Sequence, residues 1–133
     1  MKVLLACLRD AHGVELVEQP HAGLLCIRKP NRLLIEVTVP YEVLEWFVDA
    51  KDDCGTFWSE WADYYRVHGE KKQQLVTEMT CDVERFVTIL ANSEIRVSLD
   101  QTKSKKIVEL KVGGSWRGAS LDWMTAGPDS VQT

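Results

Sequence analysis

Neither G-x-x-x-x-G-K-S/T nor G-x-G-x-x-G occurs in this chain, and H-E-x-x-H is missing as well. Nucleotide-binding and zinc-protease readings therefore lose the backbone cradle and the paired ligands on which they rest. The four cysteines, Cys7, Cys26, Cys54 and Cys81, are widely scattered and form no C-x-x-C pair. Such scatter supports neither a zinc cage nor a disulfide framework, and it predicts small core residues in a reducing compartment. No apolar run approaches the roughly 18 residues of a membrane-spanning helix. The opening stretch MKVLLACLRDAHG carries one Lys and too short an apolar run for an export signal, and Arg9-Asp10 follows at once. A cytoplasmic location is the expectation.

A basic excess is also missing. Sixteen Lys and Arg stand against twenty Asp and Glu, for a net charge of −4 over 133 residues. Phosphate contacts need Lys and Arg, so nucleic acid is a poor partner, and the Lys103-Ser104-Lys105-Lys106 cluster is too small to change that. The imbalance is local. The stretch EWFVDAKDDCGTFWSEWADYYRV, residues 45–67, holds six acids and two bases, which leaves fourteen of each elsewhere. The same stretch holds seven of the eleven aromatic residues: Trp46, Phe47, Phe57, Trp58, Trp61, Tyr64 and Tyr65. A concentrated acidic patch points toward a basic partner.

One domain is expected over 1–124, with a frayed tail over 125–133. Residues 2–10 form a short helix. The runs 14–18, 24–28 and 32–39 are rich in Val, Ile and Leu, are separated by turn residues and read as an antiparallel meander. In the third, Leu33, Ile35, Val37 and Val39 fall on one side. Pro40 then suits the first turn of a helix, and helical spacing is expected over 41–52 and, after Asp53-Cys54-Gly55, over 56–66. A longer helix over 70–92, opened by Glu70, places Leu75, Met79, Val83, Phe86 and Leu90 on one stripe, widened by Val76 and Val87. Residues 94–99 and 105–112 alternate as a second hairpin, and 115–123 adds a last short strand. The fold class is α+β: an antiparallel sheet from an N-terminal meander and a C-terminal hairpin, with about three helices in the middle of the chain.

On a helix over 41–52, Glu42, Glu45, Asp49 and Asp52 share one face, where like charges repel by roughly 0.2–0.5 kcal/mol per pair. That small cost argues for a use, although an acidic helix face also serves plain solubility. The next helix, 56–66, is aromatic on nearly every side. Rings beside carboxylates suit an interface with apolar anchors inside an acidic rim; the competing reading buries all the rings between the sheet and the long helix. The candidate partner-binding residues are Glu42, Glu45, Asp49, Asp52, Asp53, Trp58, Glu60, Trp61, Asp63 and Tyr65. Asp52-Asp53 with Glu60 or Asp63 offers a hard-cation alternative, and His12, His21 and Cys26, or Cys54 with His68, offer weaker metal and nucleophile sets. No catalytic set and no cofactor is expected. A small metal-binding enzyme, and an accessory protein that homodimerises through the aromatic helix, remain the other readings.

VPYEVLEWFVDAKD followed by FWSEWADYY, within residues 32–93, resembles the Trp-rich TriTu immunity proteins of bacterial polymorphic toxin systems. The resemblance implies a non-enzymatic protein that binds a cognate toxin domain in the cytoplasm of the producing cell and neutralises it, often by covering its active site with an acidic surface. A basic nuclease is the kind of toxin such a surface suits.

Overall fold

A computed structural model describes residues 1–65 and 71–126. Helix α1 (Lys2–His12) leads into five strands, β1 (Glu15–Glu18), β2 (Ala22–Lys29), β3 (Leu33–Pro40), β4 (Glu45–Asp52) and β5 (Gly55–Asp63). They pair antiparallel in chain order, β1-β2-β3-β4-β5. Helix α2 (Lys72–Asn92) follows, then a second antiparallel sheet of β6 (Ile95–Asp100), β7 (Lys105–Val112) and β8 (Ser115–Gly118), and a single-turn helix α3 (Leu121–Met124). The fold is α+β, as the sequence predicts, and the meander and the C-terminal hairpin both stand.

Side chains alternate across a strand, and that period sorts this sheet into two faces. Leu33, Ile35, Val37 and Val39 of β3 point inward and are buried, as their spacing predicts. Leu25 and Ile27 flank them on β2, and Trp46, Val48 and Ala50 on β4. Against this face lie Leu5 and Leu8 of α1 and the stripe Leu75, Met79, Val83, Phe86, Val87 and Leu90 of α2. Each large side chain buried in this way contributes about 1.5–3 kcal/mol. The expected stripe is correct except for Val76, which stays 38 % exposed. Trp46 and Phe86 meet edge to face at 5.3 Å, which joins β4 to α2.

The largest departure from the sequence reading lies at 41–65. Both expected helices are strands, and only the bend at 41–44 separates Pro40 from β4. Pro40 ends β3 as expected but opens no helix. Burial alternates strictly along Trp46-Phe47-Val48-Asp49-Ala50, and β-rich Trp, Phe and Val prefer that pleated setting. Asp53-Cys54 is the turn of a two-residue hairpin rather than a helix break: Asp52 pairs with Gly55, whose φ of 109° suits glycine. The Asp52 carboxylate accepts from the Cys54 N–H at 2.8 Å and locks the turn. A register shift beside Ala50 leaves Phe57 as the extra residue of a bulge.

Three polar side chains hold the periphery. Lys29 donates to the Ala91 and Ser93 carbonyls at 3.2 and 3.1 Å, capping the end of α2, and burial lowers its ammonium pKa. Glu60 accepts from the Leu121 N–H at 3.2 Å and fastens α3 to β5. Lys106 meets Asp52 at 2.8 Å, so the β4–β5 tip is pinned to β7. Of the cysteines only Cys26 is buried; Cys7, Cys54 and Cys81 are exposed, contrary to the expectation of core packing. Small size and a weak S–H make Cys tolerable at either place. Thr125, assigned to the tail by the sequence, packs back on α3, with its Oγ1 donating to the Leu121 carbonyl at 2.6 Å. Residues 127–133 of the tail expected over 125–133, Glu70 as a helix start, and His68 lie outside the described residues.

Candidate docking face

All three helices pack on the inward side of the five-stranded sheet or at its edge. The residues that alternate with the core therefore form an outward face that no described helix covers. Cross-strand register assembles it row by row. Thr38 faces Phe47, which faces Trp61; Glu36 faces Asp49, which faces Ser59; Glu45 faces Asp63. Trp61 is 57 % exposed and stacks on Phe47 with centroids 6.5 Å apart and planes 12° from parallel. A shallow hollow at this pair is lined by Thr38, Asp49 and Ser59 as well.

Four carboxylates, Glu36, Glu45, Asp49 and Asp63, share this part of the face with one base, Lys51. Lys51 bridges to Glu36. That hydrogen bond above all, aided by the charges of Glu36 and Asp49, raises the Lys51 ammonium above its ordinary pKa. Ser59 Oγ donates to Asp49 and holds that carboxylate beside the rings. Toward β1 the face is balanced, since Arg28 and Glu15 form a pair at 3.7 Å. The negative excess is thus confined to the rows around Phe47 and Trp61.

The expected site residues divide accordingly. Glu45, Asp49, Trp61 and Asp63 come together on the open face, although by strand pairing and not along a helix. Glu42 is exposed in the 41–44 bend, beside a groove shared with Lys72 and Val76. Asp52 and Asp53 sit at the hairpin tip and are engaged, Asp52 with Lys106 and Asp53 with Arg32 at 3.1 Å. Trp58 points inward opposite Ala50 and is half-buried against the core. Glu60 fastens α3. Tyr65 is 55 % exposed, its hydroxyl accepting from the Leu44 N–H at 3.0 Å. The single helical stripe Glu42-Glu45-Asp49-Asp52 does not form, because a strand turns successive side chains by half a revolution.

Glu36, Thr38, Phe47 and Ser59 belong to the face but are not among the candidate residues chosen from the sequence, although period alone sets Glu36 and Thr38 opposite the apolar row of β3. Alternation of Glu45, Phe47, Asp49 and Lys51 against Trp46, Val48 and Ala50 is the signal that finds the β4 members. Its apolar outward member, Phe47, and its small inward member, Ala50, blur the pattern. A separate hollow is lined by His12, Glu15, Cys26 and Lys29, but the His12 ring meets Thr88 at 3.3 Å, and His21 lies elsewhere, in the turn before β2. Burial, and after it Glu15, raises the Cys26 thiol pKa, which disfavours a thiolate. Among the described residues no three His, Cys, Asp or Glu side chains are grouped to hold a metal ion, and no helix is long and apolar enough to cross a membrane. No family model, curated protein or solved structure matches this chain.

Proposed function

We propose that this protein is a non-enzymatic inhibitor that binds a basic protein partner through the outward face of β3, β4 and β5, and that the partner is a bacterial toxin domain whose activity it blocks in the cytoplasm. The observation that carries this reading is the Phe47–Trp61 stack, left open to solvent among Glu36, Glu45, Asp49 and Asp63. A rigid exposed ring fills a pocket at low entropic cost, and carboxylates around it steer and orient a Lys- and Arg-rich surface. A nuclease domain fits especially well, because its phosphate-binding cations would meet carboxylates in place of the nucleic-acid backbone. The resemblance of residues 32–93 to the TriTu immunity proteins supports the same reading.

The test is protection. Expression of this chain should rescue bacterial growth from a basic toxin domain encoded beside its gene, where sequencing of the locus finds one, and the purified pair should elute as one complex. Trp61→Ala combined with Asp49→Lys should abolish both effects while leaving the circular dichroism spectrum unchanged. Full protection by that folded variant removes the open face from the account, and absence of any rescue or complex with the wild-type chain removes the inhibitor reading.

A further inference from the structure

The second sheet ends in a strand that is unpaired among the described residues. β6 bonds only to β7 in the order β6-β7-β8. Its free side is identified by the ladder: the Lys111 N–H donates to the Glu94 carbonyl at 3.0 Å, and the Ala119 N–H to that of Val108 at 2.8 Å. Antiparallel bonding alternates along a strand. Glu94, Arg96, Ser98 and Asp100 therefore turn their backbone groups toward β7, and Ile95, Val97 and Leu99 turn theirs to the open edge.

Apart from the charges of Arg96 and Asp100, that edge lacks the usual protection. It has no proline, no bulge and no outward lysine, the devices by which natural edge strands avoid pairing. β1 and β8, by comparison, are four residues each. The side chains beside the edge are apolar as well. Val97 pairs across the strand with buried Val108, and Ile95 with buried Leu110. The same apolar row then runs out into solvent, with Val97 37 % and Leu99 58 % exposed.

We infer that β6 pairs antiparallel with β6 of a second copy of this chain, which joins the two three-stranded sheets into one. The charges on the strand select the register. With Ser98 on the twofold axis, Val97 of one copy faces Leu99 of the other, and each such pair exchanges the backbone bonds left open at the edge. On the opposite face Arg96 then faces Asp100 of the second copy, twice by symmetry. Moving the axis to Val97 sets Glu94 against Asp100, and moving it between Ile95 and Val97 sets Arg96 against Arg96; like charges at these positions repel. Arg96 already meets Glu109 at 2.9 Å and lies 4.2 Å over Trp116, yet its side chain remains 47 % exposed and able to accept a second carboxylate. This edge belongs to the other sheet from the docking face, so the dimer stands or falls independently of the toxin-binding reading.

Sedimentation of the full chain over a concentration series tests the inference. The wild type should reach twice the 15.1 kDa of one chain. Leu99→Pro removes an N–H that β7 does not use and should reduce the mass to that of a single chain. Leu99→Lys places a charge in the apolar row and should do the same, and it decides the matter if the proline variant does not fold. A wild type that stays at one chain throughout overturns the pairing. So does a dimer that persists in the folded variants.

Discussion

Tyr64 is the residue on which the interior polar contacts converge. It is 3 % exposed, accepts from Trp46 Nε1 at 3.0 Å and donates to Asp82 Oδ2 at 2.7 Å. Strand end, core indole and the middle of α2 are thereby joined through one hydroxyl. Tyr64→Phe leaves the buried Trp46 indole N–H without its acceptor and takes one hydrogen bond from the half-buried Asp82 carboxylate, and it should lower stability by about 1–3 kcal/mol in urea melts. Burial above all raises the phenol pKa; the Trp46 N–H pulls the other way, and the Asp82 carboxylate adds to the rise. The unfolded phenol ionises near pH 10 while the folded one keeps its proton, so the unfolded state binds fewer protons and stability falls as pH rises. The contribution is complete below about pH 10 and is lost above it. The difference between wild type and Tyr64→Phe should therefore shrink in that alkaline range. Trp61, at 57 % exposure, is the opposite case. Its truncation should alter thermal stability by no more than about 0.5 kcal/mol, because more than half of the side chain already lies in water.

Helix α1 and β2 approach closely at a glycine. Gly23 pairs with Val39, and a Cβ there would collide with Leu5 Cδ1, a side chain with no exposure and no room to retreat. Gly23→Ala should push α1 off the sheet at a cost of about 1–3 kcal/mol, visible as a lower denaturation midpoint, while Leu5→Ala in the same chain should recover part of it. At this scale the sequence was legible wherever one face of an element is wholly apolar. The β3 row and the α2 stripe follow from period alone, as do the first helix and the second hairpin. Residues 41–65 were not legible in that way. Trp, Phe, Ala and acids recur there at spacings that fit a period of 3.6 as well as one of 2, and Asp53-Cys54-Gly55 stops a helix as readily as it turns a hairpin. Long-range pairing with β3 resolves the ambiguity, since only as a strand does β4 bury Trp46, Val48 and Ala50 together. For the site, sequence identified Glu45, Asp49, Trp61 and Asp63. Alternation sets Glu36 on the outward side of β3, but its place beside Asp49, and that of Ser59, come only from register with neighbouring strands.

Across the whole molecule the charge is −4, and the outward carboxylates of β3 to β5 give one side of the protein a negative field. Association with a basic partner should be fast at low salt and slow markedly as ionic strength rises past a Debye length of about 10 Å at 0.1 M. Stopped-flow measurements should show the association rate falling with salt while dissociation changes little. Glu45→Lys with Asp49→Lys should flatten that dependence; an unchanged slope would show that the field arises elsewhere. Because β1 to β5 follow one another without a crossover, the outward face lies within residues 15–63, its positions alternating with inward ones except at the Phe57 bulge. Two selective pressures can thus act on alternate letters of the same segment. In the proposed inhibitor role, substitutions at the outward set would redirect recognition toward a changed adversary, while the inward set keeps the same interior from one variant to the next.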